Sequence, residues 1–219
     1  MRMLKTVRAA SLLLIAICAS PPMMTSAASA APATPAQAAP PARFKGTLLA
    51  IDGALLTIKG EDGSTTNITV AKDAWIVKGR PIKASDIKPG DFVATANVNN
   101  PDGTGTSTEL RVFPSGLRLG EGSYPMDEPN TTMTNATVAE VTSVGEDRQL
   151  TVTYGASEAN GTPAGARTIK LPANVQVVQW YRVTLKDLHT GNRLRGRGAK
   201  DNTTIVADFI FADDAPPPH

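Results

Sequence analysis

"ASDIKPGDFV" (residues 84–93) and "LKDLHTGNRL" (residues 185–194) are one phrase written twice. Asp86 aligns with Asp187, Ile87 with Leu188 and Gly90 with Gly191, each 101 positions on. An acid, an aliphatic and a glycine at this spacing suit a single helical turn that crosses the open end of a curled sheet. Ser85 is placed to cap the turn, Ile87 to plug the mouth of the sheet, and Gly90 to take the positive φ that ends the turn. The second copy keeps these three types but replaces Lys88, Pro89 and Asp91 by His189, Thr190 and Asn192. What is retained is structural. Asp86, Ile87, Gly90, Asp187, Leu188 and Gly191 are read as turn residues, with both aliphatic side chains pointing inward.

The repeat extends outward from this phrase. "GTLLAI" (residues 46–51) aligns with "ATVAEV" (136–141) at an offset of 90, and "LTIK" (56–59) with "LTVT" (150–153) at 94. "TNITV" (66–70) aligns with "RTIKL" (167–171) at 101, and "ELRV" (109–112) with "DFIF" (208–211) at 99. The first two changes of offset fall at turn chemistry, at Asp52-Gly53 against "SVGEDR" and at "GEDGST" against "GASEANGTPAGA". Loops tolerate length change while strands keep register. Asp-Gly turns between β-rich runs predict hairpins, and helical periodicity is nearly absent.

Five or six short strands in a stretch of this size must curl to bury a face. The expected fold class is therefore all-β: two tandem small β-barrel, OB-like modules behind a signal peptide and an Ala/Pro-rich linker. The expected boundaries are residues 44–113 and 135–212, with an inter-module linker at 114–134. The candidate core is Leu48, Leu56, Ile58, Ile68, Val70, Val93 and Val112 in the first copy. Val138, Leu150, Val152, Ile169, Leu171 and Leu194 match them in the second.

The run "GTLLAIDGALLTIKGEDGSTTNITVAKDA", followed by "ASDIKPGDFV", resembles a bacterial family of exported small β-barrel domains of unknown function. "TMTNATVAEV" (residues 132–141) is similar to the junction phrase of its tandem members. The resemblance covers about residues 44–211. It implies a signal peptide and an OB-like or similar barrel, and no activity, so it supplies no catalytic residues. The second copy departs most, with "HTGNRL" for "KPGDFV".

The ends fit export. Arg2, Lys5 and Arg8 precede the apolar "SLLLIAICA" (residues 11–19), and Ala28-Ser29-Ala30 matches an A-x-A cleavage site. Residues 1–30 are read as a signal peptide, too short in its apolar run for a membrane span. Lipidation of Cys18 is the alternative, with Ile17 standing where a small residue is usual. The expected location is periplasmic or secreted. Cleavage after Ala30 removes Cys18, the one cysteine, and three cations, which turns the formal charge of +2 into −1. Thiol chemistry, disulfides and a global attraction to nucleic acid or anionic lipid are then excluded. Residues 31–43 read as an extended linker and residues 213–219 as a similar tail.

Neither a nucleophile–base pair nor a metal-ligand constellation stands out, so no catalytic residue, metal or cofactor is expected. His189 is matched by Lys88 and is read as an exposed turn residue. Asp127 and Glu128 form an acidic pair with nothing to place a substrate beside them. "NRLRGRGAK" (residues 192–200) is the most suggestive stretch. On a strand, Arg193, Arg195 and Arg197 share one face and suit phosphate, sulfate or an acidic sugar. Trp180 and Tyr181 are candidate stacking planes. The plainer alternative is that the arginines guard a strand edge. The first copy carries Phe92, Ala94 and Ala96 at these positions, so the fold itself does not require the stripe. For the linker, packing that fixes the modules is weighed against a partner-binding loop. The expected function is a non-enzymatic binding or structural module of the cell envelope, partnered by an unidentified exported component. The alternative is a polyanion-binding protein acting through the arginine stripe.

Overall fold

The computed structural model describes residues 41–158, 161–201 and 203–214. The signal segment, Cys18, the Ala/Pro stretch to residue 40 and the last five residues lie outside the described residues. From Pro40 onward the chain is one compact unit. The described residues form twelve strands: β1 (Ala42–Asp52), β2 (Leu55–Lys59), β3 (Thr65–Pro81), β4 (Phe92–Asn99), β5 (Gly105–Val112), β6 (Gly122–Pro125), β7 (Thr131–Val144), β8 (Asp147–Tyr154), β9 (Gly165–Leu171), β10 (Gln176–Val183), β11 (Arg193–Asp201) and β12 (Thr204–Asp213). Single 3-10 turns at Ala84–Asp86 and Leu185–Asp187 are the remaining regular elements. Among the described residues no helix is long and apolar enough to cross a membrane. β1 begins at Ala42, β7 at Thr131, and β12 includes Asp213.

The Asp-Gly turns form as read. Gly53, Gly63 and Gly103 all have positive φ, between 57° and 82°, and join β1 to β2, β2 to β3 and β4 to β5. The way the strands close differs from the expectation. β1, β2, β3, β12 and β11 form a closed five-stranded barrel, in which β1 pairs with β2 and β11, and β3 pairs with β2 and, in parallel, with β12. Two of these five strands come from the second sequence copy. Five further strands from both copies, β7, β8, β9, β5 and β4, pair in the same cyclic order. The parallel contacts Gly105↔Ile169 and Thr106↔Lys170 join β5 to β9. Neither copy closes on itself.

The cores follow the pairing. Leu48, Leu56, Ile58, Ile68 and Val70 of the first copy pack with Leu188, Leu194, Ala207 and Ile210 of the second. Val138, Leu150, Val152, Ile169 and Leu171 pack with Ile87, Val93, Leu110 and Val112 of the first. The cause lies in β3. This 17-residue strand does not turn back after Val70 but runs straight on to Pro81. Its far half pairs antiparallel with β10, in a register centred on Gly79↔Trp180. Those two residues occupy one position of the repeat, so a local two-fold relation passes between them. A third cluster surrounds this crossing, with Val77, Phe92, Ala94, Phe113, Leu117, Trp180 and Phe211 buried together. A Cβ on Gly79 would stand 2.9 Å from Val178 Cγ1 and 3.4 Å from the Phe211 ring, so a side chain there would press on both.

The opening phrase does what its residues suggest, across the exchange. Ile87 is buried in the second ring and Leu188 in the first. The Asp86 carboxylate accepts the Lys83 N–H at 3.1 Å, and Asp187 accepts the Thr184 N–H at 2.7 Å and its hydroxyl at 2.8 Å. Lys83 and Thr184 therefore hold the cap positions, and Ser85 lies inside its turn rather than capping it. Gly90 and Gly191 have φ of 90° and 92°. Their N–H groups donate to Val138 and Leu48, each a residue of the other copy.

Candidate functional site

The arginine stripe lies on β11, between β1 and β12. Because β11 is not an edge strand, edge protection does not account for its charge. Alternation turns Leu194 into the barrel core and Arg193 and Arg195 outward, while Arg197 is half-buried on the same outer face. Facing them on β1 is a second stripe. Arg43 is directly opposite Arg197, and Lys45 directly opposite Arg195. Like charges in cross-strand register oppose folding, so this face holds two unfavourable pairs side by side.

These side chains line a cleft of about 550 Å³. Arg43, Lys45, Arg195 and Arg197 form one wall. Arg111, which comes from β5 of the other ring, adds a fifth cation, and among the described residues no carboxylate lines the cleft. Phe44, Trp180, Phe209 and Phe211 supply the apolar floor. The Arg195 guanidinium sits 4.3 Å from the Phe211 ring centroid, a cation–π contact that holds the group over the cleft.

The counter-charges stand outside. Lys45 meets Glu61 at 2.7 Å, Arg111 meets Glu109 at 2.6 Å, and Arg197 Nε is 3.4 Å from Asp208. The Lys45–Glu61 pair is well exposed on both sides, and such pairs are worth little. The Lys45 ammonium holds the Glu61 carboxyl below its ordinary range. The Nε of Arg197 is buried and makes no well-aligned hydrogen bond, so the Asp208 carboxylate at 3.4 Å compensates it as an ion-pair partner. Arg43 and Arg195 have no carboxylate partner among the described residues.

The two glycines between the arginines are packing devices. A Cβ on Gly196 would lie 2.3 Å from the Phe209 carbonyl oxygen and 2.4 Å from Phe44 Cζ. One on Gly198 would lie 2.0 Å from the Val206 carbonyl oxygen, at the irregularity in the β11–β12 ladder.

The other candidates separate. Trp180 is 9% exposed and packs edge-on against Phe113 at 4.9 Å and stacked on Phe209 at 5.8 Å. Its faces are occupied, so it is a floor residue rather than an open stacking plane. Tyr181, the next residue of the strand, points to the opposite face under Arg80 and does not line the cleft. Arg193 faces a smaller neighbouring hollow with Lys59, Glu61 and Asp213. His189 is an exposed turn residue, 3.8 Å from Asp214. Asp127 and Glu128 are exposed between β6 and β7, and among the described residues no cluster of three or more His, Cys, Asp or Glu is arranged to hold a metal ion.

Sequence reasoning missed Arg43, Lys45 and Arg111. "RFKG" alternates cation and core residue as "RLRG" does, and that was the available signal for the first two. Arg111 arrives by strand exchange and leaves none.

In the second ring the matching face is built differently. Phe92, Ala94 and Ala96 replace the arginines and are buried. Met133 and Asn135 stand where Arg43 and Lys45 do, 90 positions on. The linker lies over this face. Leu117 and Leu119 pack there, Arg118 stacks on Phe92 at 4.4 Å, and Asn135 donates to the carbonyls of Leu119 and Gly120. Comparison with family models, with curated proteins and with solved structures finds no match for the chain.

Proposed function

We propose that this chain is an exported, non-enzymatic binding module of the bacterial envelope, and that its cleft holds an anionic partner. One observation carries the reading: five cations from two rings converge on one concavity that contains no carboxylate. Lys45, Arg111 and Arg197 meet carboxylates at the margin while Arg43 and Arg195 meet none among the described residues, and an anion between them offsets the repulsion that remains. A concave surface of one sign also concentrates ligands of the other.

The cyclic order of the strands supports an OB-like description of each ring. In that order, strand one pairs with two and four, and strand three runs parallel to five. The tandem repeat is then an intertwined pair of such barrels. The cleft lies over strands one and four, not over the face of strands two and three that OB-folds commonly use. The aromatic floor is covered by its own contacts, so base stacking contributes little, and charge dominates recognition. This favours a carboxylate-, sulfate- or phosphate-bearing partner over single-stranded nucleic acid.

The test is retention on immobilised heparin across a salt gradient. The native chain elutes at raised salt, and the double variant Arg195→Gln/Arg197→Gln elutes well before it, with a shallower dependence of binding on salt. Equal elution of the two proteins overturns the reading.

A further inference from the structure

The two rings differ in one more respect, which concerns the edge of the first strand. Leu48 exchanges main-chain hydrogen bonds with Gly191 and Asn192 on the β11 side. Alternation along an antiparallel ladder then turns the N–H and C=O of Arg43 and Lys45 to the opposite side. β2 reaches only as far as Thr47. Among the described residues, no strand pairs with Ala42–Gly46 on that side. In the second ring the equivalent edge is filled: β6 pairs antiparallel with β7 through Gly122↔Asn135, Ser123↔Thr134, Tyr124↔Met133 and Pro125↔Thr132. Those four positions of β7 correspond to Lys45, Phe44, Arg43 and Ala42. The molecule thus contains a worked example of an extended segment laid on this edge, and a second edge of the same build beside the cationic cleft.

We infer that the first ring binds an extended acidic polypeptide segment of a partner, added antiparallel along β1 where β6 is added along β7. The inference rests on the anion-binding reading of the cleft and names the partner class. Main-chain bonds to Arg43 and Lys45 supply the docking register, as in strand addition generally. The side chains of the added segment that share the outer face recur every second residue. Carboxylates at alternate positions then face Arg43 and Lys45. Arg197 and Arg195 lie one strand further, a spacing of about 4.8 Å that long side chains bridge. The chain's own first 40 residues contain no Asp or Glu, so they cannot supply this charge pattern and the carboxylates come from another protein.

The experiment uses the mature chain and two synthetic peptides, one with Glu at alternate positions and Val between, the other identical but N-methylated at the residues that face β1. Heparin serves as a peptide-free polyanion. Expected are binding of the first peptide, slowed amide exchange at Arg43 and Lys45, and an affinity about tenfold or more weaker for the methylated peptide. Equal affinities, or no protection at those two amides, overturn the inference. Retention on heparin without peptide binding removes the strand-addition proposal and leaves the anionic cleft standing. Failure of both probes at low salt removes both, and leaves Arg43 and Lys45 as charges that only guard an edge.

Discussion

The two rings share strand order, plug residue and turn geometry, yet they treat the same outer face in opposite ways. In the second ring Phe92 and Ala94 are buried with Leu117 of the linker and Ala96 is buried beside them on β4, and β6 completes the edge. In the first ring Arg195 and Arg197 stand there with Arg43 and Lys45 opposite, and a cleft stays open. Had the first face needed only stability, apolar residues and a cover segment were within reach of this fold, since its neighbour uses them. The proposed anionic partner would account for a face that keeps these charges uncovered. The difference teaches that the repeat conserves how a barrel closes, while what the barrel presents is free to change.

The largest expected effect tests whether each plug serves the ring to which the strand exchange assigns it. Leu188→Ala and Ile87→Ala should each cost about 2–5 kcal/mol, as large-to-small changes in a core do, measured by urea unfolding. Hydrogen exchange then locates the damage. Leu188→Ala should accelerate exchange at Ile58 and Ile210, and Ile87→Ala at Leu150 and Ile169. The opposite assignment would mean that each sequence copy closes on itself after all.

That exchange marks the limit of what the sequence can express. Asp52-Gly53, Asp62-Gly63 and Asp102-Gly103 locate hairpins because a positive φ favours glycine wherever the chain reverses. Period-two alternation finds the buried residues, and every residue of the candidate core is buried. The partner ring stays hidden for a physical reason. The copies carry an apolar residue at the same place in the turn phrase, Val93 in one and Leu194 in the other, and each is buried in the ring opposite its own copy, so hydrophobicity alone does not name the ring. The choice falls to Trp75–Pro81 and its match in β10, which pair with each other instead of folding back. Three residues of the site share that fate. The arginines of β11 are legible as a stripe, but their confrontation with Arg43 and Lys45 is a matter of register, and Arg111 crosses from the other ring.

An intermediate effect sharpens the comparison at one matched position. Arg43→Gln relieves the repulsion with Arg197 and should raise stability by about 0.2–1 kcal/mol at low salt. The gain should shrink as salt screens the pair. Met133, its counterpart, packs against the aromatic cluster between the rings, and Met133→Gln should lower stability by about 1 kcal/mol. Opposite signs from the same replacement, followed by thermal unfolding over a salt series, are the expected outcome. Two losses of similar size would mean that the cationic face is an ordinary surface.

The smallest effect concerns acid. Asp187 ties down the turn that delivers Leu188 to the first ring. Its carboxyl is held below the ordinary value of 3.8, first by the Thr184 N–H and then by the Thr184 hydroxyl. A carboxylate whose folded pKa is depressed stabilises the fold at pH above the unfolded value, and that contribution disappears as the pH falls through the folded value. Stability should therefore decline below about pH 4. Asp187→Asn, which removes the charge and keeps one acceptor oxygen, should be slightly less stable near neutrality and lose less on acidification, so the two unfolding midpoints converge at low pH. Amide exchange at Ile58 and Ile210 should carry the difference, with Leu150 and Ile169 little changed, because this turn serves only the first ring. Parallel acid profiles for native and variant proteins would show that the turn is held by the burial of Leu188 alone.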